Sequence, residues 1–323
     1  MIGVTDHGEL IVLQSHLVGV GDTLSLFDPG TGIVTKVVSR PVAKSQGSAT
    51  SQIGMATGNA DWVIWEEAGF SLEHADWRMY VMDRRTGTIR KVATFDSWAG
   101  GPAAPGWASD ISLLGDLAAW SAPAMLGPNR AGERIYVANL RAKTVRRLDV
   151  EAQWPSLLSS DEVEAAVQVG TDPASGKVLA QPTTIGLPGG TATQQDWIAP
   201  ARLLAEASSP AGTVVERLVK EATADDPDAV GEVLTHDATG TTRTFALVNG
   251  WGAVAAGTGF LAWTDQQHLW ILPSGQAQPM LLVATPDDST QVQVIVNGPV
   301  VFWRSVGFDY DWTTNRMATV TCP

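Results

Sequence analysis

The chain has 323 residues, of which 44% are hydrophobic and 17% charged, a composition typical of a folded protein rather than a disordered one. Its 21 Lys and Arg are outnumbered by 34 Asp and Glu, giving a net charge of −13, so we expect no nucleic-acid partner, because that binding needs clustered cations. The apolar stretches have the length of strands and not the ~20 residues of a membrane helix, so no membrane insertion is expected. The single cysteine, Cys322, excludes an intrachain disulfide.

Pairs of apolar strands around a short turn recur along the chain. Residues 2–13 read IGVTDHGELIVL, and residues 53–65 read IGMATGNADWVIW. The second strand of this pair returns as GDLAAW ending at Trp120, GTGFLAW ending at Trp263 and NGPVVFW ending at Trp303. Each run follows a turn signal and has strand length, which predicts a repeated β unit.

A two-faced hairpin follows most of these apolar runs. The hairpin segments are DTLSLFDPGTGIVTKV from Asp22, WRMYVMDRRTGTIRKV from Trp77, ERIYVANLRAKTVRRL from Glu133, GEVLTHDATGTTRTFAL from Gly231 and HLWILPSGQAQPMLL from His268. Period-two alternation interrupted by Asp, Thr, Ser or Gly is typical of hairpins, since Gly supplies the positive φ of the reversal. Two apolar strands and one hairpin together predict a four-stranded antiparallel unit.

Four-stranded repeats of this size are typical of a β-propeller, in which each blade packs on its neighbours. We therefore predict an all-β fold with almost no helix, as one β-propeller domain over residues 1–323. A tryptophan closing the second strand suits the space between two blades, so Trp65, Trp120, Trp263 and Trp303 are predicted to be packing residues.

The number of blades depends on the region between Trp120 and Trp263, which are separated by about three repeat lengths. Seven blades, the preferred number, result if EVEAAVQVGTDPASGKVLA and TVVERLVKE each belong to a repeat. Six result if residues 151–248 hold one blade and a long insertion with a short helix over residues 194–207. Residues 151–230 are accordingly predicted to be a degenerate blade or an insertion within the domain.

Two of the repeats carry a family resemblance. WVIWEE followed by RMYVMDRRTGTIRKV, and LAAWSA followed by RIYVANLRAKTVRRL, resemble the blades of TolB-like propellers and related WD-like propeller repeats of bacteria. Residues 151–230 depart from this pattern. The resemblance implies a scaffold, a sensor domain or a propeller attached to a peptidase. It also implies a location outside the cytoplasm, which is slightly preferred here, although composition alone leaves the localisation open.

Motifs for catalysis are absent from the sequence. It contains no G-x-S-x-G, H-E-x-x-H, P-loop or dinucleotide-binding G-x-G-x-x-G, and its five histidines are scattered. We therefore predict no catalytic residues, no cofactor and no metal site. The acidic run TADDPDAV lacks the spacing of an EF-hand and is interpreted as a solvated loop.

Four long connections are expected on one face of the propeller, namely residues 66–77, 95–109, 121–133 and 306–315. Long loops on a rigid scaffold often carry binding function. Aromatic side chains supply contact area and acids attract cationic partners. The predicted ligand-binding residues are Trp77, Trp107, Tyr310, Trp312, Asp76, Asp309 and Asp311.

Two functions of different class are compatible with this face. The favoured one is non-catalytic binding, sensing or scaffolding, with a protein, peptide or glycan as ligand. The alternative is a polysaccharide hydrolase or lyase with acidic residues at the propeller funnel, for which Asp309 and Asp311 are the candidate pair. An enzyme should gather carboxylates of perturbed pKa, whereas a binding protein should present a broad surface. The oligomeric state is not predicted.

Overall fold

The computed structural model describes residues 2–16, 20–40, 51–69, 77–94, 111–127, 130–220, 230–247, 252–265, 267–284, 290–307 and 312–320. Within these ranges all helical or extended elements are strands, which confirms the predicted all-β class. In the same ranges, no helix is long and apolar enough to cross a membrane. The chain divides into two compact units, Met1–Ser160 and Asp161–Pro323. The single domain over residues 1–323 stays a prediction.

The first unit contains three antiparallel sets of four strands, and each strand pairs with the next one in sequence. The strands are β1 (Gly3–Val4), β2 (Leu10–His16), β3 (Val20–Phe27) and β4 (Val34–Ser39); β5 (Ser51–Gly58), β6 (Trp62–Gly69), β7 (Trp77–Asp83) and β8 (Thr88–Thr94); and β9 (Ser112–Leu114), β10 (Leu117–Gly127), β11 (Arg130–Asn139) and β12 (Thr144–Leu157). This arrangement is the predicted meander.

The reversals between the last two strands of the first two sets are built on an Asp followed by a Gly. Between β7 and β8, Asp83 Oδ1 accepts a hydrogen bond from the amide of Arg85 at 2.9 Å, and its carbonyl accepts one from Gly87 at 2.8 Å. Gly87 has φ +68, a left-handed conformation that Gly adopts without strain. DRRTG therefore folds locally into the turn that the sequence predicted.

The apolar faces of these sets meet in two cores. One core joins the sheet β5–β8 to the sheet β9–β12 and is filled by aromatic rings. The ring of Trp77 lies edge-on to Trp120, with centroids 6.4 Å apart, and Trp120 stacks on Tyr136 at 5.8 Å. The other core joins β1–β4 to β5–β8 around Trp65, which is completely buried.

The second unit contains four further antiparallel sets. They are β13 (Glu162–Thr171), β14 (Val178–Gly186) and β15 (Ala192–Gln194); β16 (Leu203–Ser209), β17 (Gly212–Lys220), β18 (Val230–Asp237) and β19 (Thr242–Ala246); β20 (Val254–Gly257), β21 (Phe260–Thr264), β22 (His268–Pro273) and β23 (Met280–Ala284); and β24 (Thr290–Asn297), β25 (Val300–Gly307) and β26 (Trp312–Thr319). Trp263 and Trp303 are buried between these sheets, so all four tryptophans predicted to be packing residues have that role.

The short helix predicted over residues 194–207, as part of the six-blade alternative, is wrong. The chain from Leu203 to Ser209 is a strand, with Leu203, Glu206 and Ser208 buried. Whether residues 151–230 are a degenerate blade or an insertion stays a prediction. The number of blades and the closure of the propeller stay predictions.

The predicted long loop over residues 121–133 is also wrong. Strands β10 and β11 continue through most of it, pairing Ser121 with Ile135 and Gly127 with Arg130. Within residues 121–133, the described segments 121–127 and 130–133 belong to these two paired strands. These residues extend the ladder because pairing satisfies backbone groups that a loop would leave to solvent.

Candidate functional site

Most of the predicted ligand-binding residues lie outside the part of the chain that the structure describes. These residues are Asp76, Trp107, Asp309, Tyr310 and Asp311. Trp312 begins β26, but the description of that residue is limited to its backbone. Their role in binding therefore stays a prediction.

Trp77 is described, and its placement corrects the sequence analysis. It begins β7 with an exposure of 0%, and its ring centroid lies 5.1 Å from that of Tyr136. The alternation of the strand places Trp77, Met79 and Val81 on the buried face. The prediction of an exposed aromatic ring at Trp77 is wrong because this residue begins strand β7 and lies on its buried face.

The described part of the second unit contains an open cleft of about 340 Å³. It lies beside the β13–β14 turn, the start of β16 and the end of β17. Its lining residues are Asp172, Ser175, Lys177, Leu179, Ala201, Arg202, Arg217, Leu218 and Val219. Backbone hydrogen bonds in both directions between Ala180 and Ala201, at 2.8 and 3.0 Å, fix β14 against the segment that leads into β16.

The acid in this cleft is engaged within its own turn. The hydroxyl of Ser175 donates to Asp172 Oδ2 at 2.5 Å, and the amide of Ala174 donates to Oδ1 at 3.1 Å. These bonds, with the hydroxyl of Ser175 first, lower the pKa of Asp172 and keep its carboxylate ionised. Lys177, which follows this turn, is an exposed cation at the rim of the cleft.

Aliphatic side chains complete the cleft. Leu179 and Leu218 are partly buried, whereas Val219 is 57% exposed and Val178, between two lining residues, is 51% exposed. Arg217 pairs with Glu232 on the adjacent strand β18. The cleft therefore combines an apolar surface with the cationic groups of Lys177, Arg202 and Arg217, in a chain whose net charge is strongly negative. Such a surface suits a ligand with aliphatic and acidic groups.

A second polar feature of this unit is buried between strands β13, β16 and β17. Glu164 accepts a hydrogen bond from the Ser208 hydroxyl at 2.7 Å and another from the Thr213 hydroxyl. On its other oxygen it accepts bonds from Thr184 at 3.3 Å and from Gln195 Nε2 at 3.4 Å. Together with Glu206 we call these residues the Glu164 cluster: Glu164, Thr184, Gln195, Glu206, Ser208 and Thr213.

The strand register brings Glu206 into the Glu164 cluster. Glu206 lies opposite Val215, and Ser208 lies opposite Thr213 in the same β16–β17 ladder, so the two β16 side chains share a face. Both Glu164 and Glu206 are only 4% exposed. Burial, and to a smaller extent the charge of Glu164, raise the pKa of Glu206 well above its ordinary value.

This carboxylate pair bears on the hydrolase alternative. Two carboxyl groups with a perturbed pKa are what glycoside chemistry requires, but they must flank a bond of the substrate. Glu164 and Glu206 are both enclosed by strands and nearly inaccessible to solvent. Because a polysaccharide chain has no access to both groups, the pair gives no support to a hydrolase.

Two other buried acids have clear local roles. Glu216 is 2% exposed and accepts a hydrogen bond from the amide of Gly252 at 3.0 Å, while burial raises its pKa to about 7. Asp265 accepts bonds from the amide of His268 at 2.9 Å, from its ring Nδ1 at 2.7 Å and from Trp270 Nε1 at 3.0 Å. The contacts of Asp265 fix the beginning of β22.

Sequence reasoning missed both the cleft and the Glu164 cluster. The only signal for the cluster was an acid among apolar or small residues, as at Glu164 in EVEAAVQV and at Glu206 in LLAEASS. Alternation within either strand does not show which residues of another strand these acids face. The cleft had no comparable signal, because its cations come from a turn, a connecting segment and a strand.

The comparisons with known proteins agree with the strand arrangement. No protein-family model matches the sequence, and no curated protein matches it. Among solved structures, the β-propeller domain of the Trilobed protease from Pyrococcus furiosus is similar over 97% of this chain and 92% of that one, with 9% identity and a TM-score of 0.57. The uncharacterized protein lmo1340 from Listeria monocytogenes EGD-e is similar over 97% and 90%, with 9% identity and a TM-score of 0.54.

The tricorn protease is also similar, with a TM-score of 0.55 and 10% identity over 85% of this chain. The present chain spans 30% of the length of that protease. At these identities the likenesses concern the fold and not the activity. They show that the chain has an all-β fold of the kind found in β-propeller domains; its assignment to the TolB-like family stays a prediction.

Proposed function

We propose that this chain is a non-catalytic binding or scaffold module that holds a polypeptide segment in the cleft beside β14, β16 and β17. The observation that carries the proposal is the combination of exposed aliphatic surface and cationic side chains in one cleft. A polypeptide with aliphatic and acidic residues complements both features. A short apolar ligand or a neutral glycan would make no use of the exposed charge of Lys177 at the rim.

The similar structures support a polypeptide as the ligand class. Two of them, by their names, are a protease and the propeller domain of a protease, and proteases act on polypeptides. We also propose that the fold is a seven-bladed, TolB-like propeller and that the protein is located outside the cytoplasm. Trp107, Tyr310, Trp312, Asp76, Asp309 and Asp311 remain candidates for ligand binding.

The test is a binding titration by fluorescence anisotropy with a panel of labelled peptides. The panel holds Leu and Val constant and replaces Asp and Glu by Asn and Gln, or by Lys. We expect the acidic peptides to bind most tightly and Lys177→Glu to weaken them by about tenfold or more, because the variant puts a like charge at the rim.

Lys36→Glu is the matched control, since Lys36 is an exposed lysine of the first unit and the change in net charge is identical. Val219→Asp tests the apolar part of the cleft, and we expect it to weaken the same peptides. Equal binding by Lys177→Glu and the wild type, with no preference for acidic peptides, would refute the cleft as the site. Loss of binding only in the double variant Tyr310→Ala and Trp312→Ala would place it on the long loops.

A further inference from the structure

Glu206 is the least satisfied polar side chain of the Glu164 cluster. It is 4% exposed, and neither Oε1 nor Oε2 has a hydrogen-bond partner among the residues that the structure describes. Its position on β16, two residues before Ser208, directs it to the face on which Ser208 contacts Glu164. Buried carboxyl groups are normally paired, hydrogen-bonded or bound to a metal ion, because leaving them unsatisfied costs free energy.

The groups around Glu206 offer only oxygen donors to a metal ion. Glu164 supplies a second carboxylate, and Ser208 and Thr213 supply hydroxyls that lie 3.1 Å apart. A donor set of carboxylates and hydroxyls, without sulfur or imidazole, is selective for hard cations. Two carboxylates also balance the charge of one divalent ion.

We propose that the Glu164 cluster binds one hard divalent cation, Ca²⁺ in preference to Mg²⁺. The site is enclosed by strands β13, β16 and β17, so the protein itself must replace most of the hydration shell. Ca²⁺ accepts such an all-protein, irregular set of oxygens, whereas Mg²⁺ retains several waters and requires octahedral geometry. In the described residues no three His, Cys, Asp or Glu side chains form a metal group, so the neutral oxygens of Ser208 and Thr213 have to complete this site.

A site with only two carboxylates is expected to be a weak one. The affinity of calcium sites falls as the number of charged ligands falls, and we expect a Kd of roughly 10⁻⁴ M. The cation would join β13 to β16 and β17, because it would bind the hydroxyl oxygens of the cluster, which now form hydrogen bonds to Glu164 or to each other. Its role is thus to lock two neighbouring sheets of the second unit, independently of the cleft, with which the cluster shares no residue.

The experiment is isothermal titration calorimetry of the full chain, first stripped with EDTA, with CaCl₂ and separately with MgCl₂. We expect one Ca²⁺ per chain, weaker binding of Mg²⁺, and a melting temperature that rises by several degrees when Ca²⁺ exceeds its Kd about 100-fold. Absence of stoichiometric binding of either ion by the wild type would overturn the proposal. Tighter binding of Mg²⁺ than of Ca²⁺ would overturn the choice of ion.

Glu206→Gln identifies the ligand. It keeps the size of the side chain and removes its charge, and we expect the affinity for Ca²⁺ to fall at least tenfold. Glu216→Gln is the matched control, because Glu216 is a buried Glu on the opposite face of β17 and should leave the affinity unchanged. Wild-type affinity in Glu206→Gln would refute the site. Thr213→Ala provides a second variant, expected to weaken binding, should Glu206→Gln fail to fold.

Discussion

Two interfaces between neighbouring sheets, one in each unit, are filled in different ways. Between β5–β8 and β9–β12 the contact is apolar and aromatic, built on Trp77, Trp120 and Tyr136. Between β13–β15 and β16–β19 the contact contains Glu164 and Glu206, with hydroxyl and amide groups around one of them. Both contacts join strands of the same repeat type, so the repeat determines where an interface lies and not what fills it.

The two interfaces are expected to contribute to the free energy of unfolding in opposite ways. Burial of large rings is favourable in itself, at roughly 25 cal/mol for each Å² of apolar surface, so the first interface needs no ligand. A buried carboxylate without a partner is unfavourable, so the second interface costs free energy unless something else binds there. We therefore expect opposite responses when each interface is simplified.

Trp120→Ala should have the largest effect. The indole is completely buried and contacts both Trp77 and Tyr136, so its loss leaves a cavity in the aromatic core. We expect the free energy of unfolding to fall by about 3 to 5 kcal/mol, measured by urea denaturation. Ile33→Ala, at a side chain 61% exposed in the same unit, is the control and should change it by less than about 0.5 kcal/mol. Similar losses in both variants would mean that the aromatic core is not the main source of stability.

Glu216 should impose a dependence on pH. Its ordinary pKa of 4.5 is raised to about 7 by burial, so the folded chain keeps a proton that the unfolded chain has already lost. The contribution to stability is therefore complete below about pH 4.5 and is lost as the pH rises to 7, by about 3 kcal/mol in all.

Glu216→Gln is the test of this dependence. The amide oxygen can still accept the hydrogen bond of Gly252, but it carries no charge at any pH. Denaturation of variant and wild type at pH 5 and pH 8 should show the variant gaining stability relative to the wild type only at pH 8. A difference that is the same at both pH values would contradict the raised pKa.

Glu206→Met should stabilise the chain when EDTA removes divalent ions. The replacement fills a similar volume and eliminates two buried oxygens that have no partner among the described residues. We expect an increase of about 1 to 2 kcal/mol in the free energy of unfolding. Addition of Ca²⁺ should reverse the order of wild type and variant. Destabilisation by Glu206→Met in EDTA would show that the carboxyl group itself supports the fold.

Gly212→Ala should have a moderate effect at the turn that joins β16 and β17. Gly212 has φ +133, and an added Cβ would lie 2.2 Å from the carbonyl oxygen of His236, so both conformation and space oppose the change. Gly240→Ala, at φ +84 but with open space, is the control in the same sheet. We expect a loss of about 2 kcal/mol or more at Gly212 and about 1 kcal/mol at Gly240, measured by thermal denaturation. Equal losses would remove the steric part of the argument.

The sequence by itself determined the local structure of this protein. The Asp and Gly residues of DPGTG and DRRTG form turns because their bonds are made within a few residues. The runs that end in Trp65, Trp120, Trp263 and Trp303 are buried because a continuous apolar strand has no side for water. These features depend on neighbours along the chain, so pattern and residue type were sufficient to predict them.

Only the tertiary structure decided which side chains meet across two sheets. Glu164 and Ser208 are 44 residues apart, and their hydrogen bond depends on how β13 and β16 face each other. Trp77 lies at the boundary between the predicted connection over residues 66–77 and the hairpin that follows it. The structure places it in the strand, where its side chain is buried. Packing between sheets joins residues that are distant in sequence, and alternation within one strand carries no information about the strand that it will face.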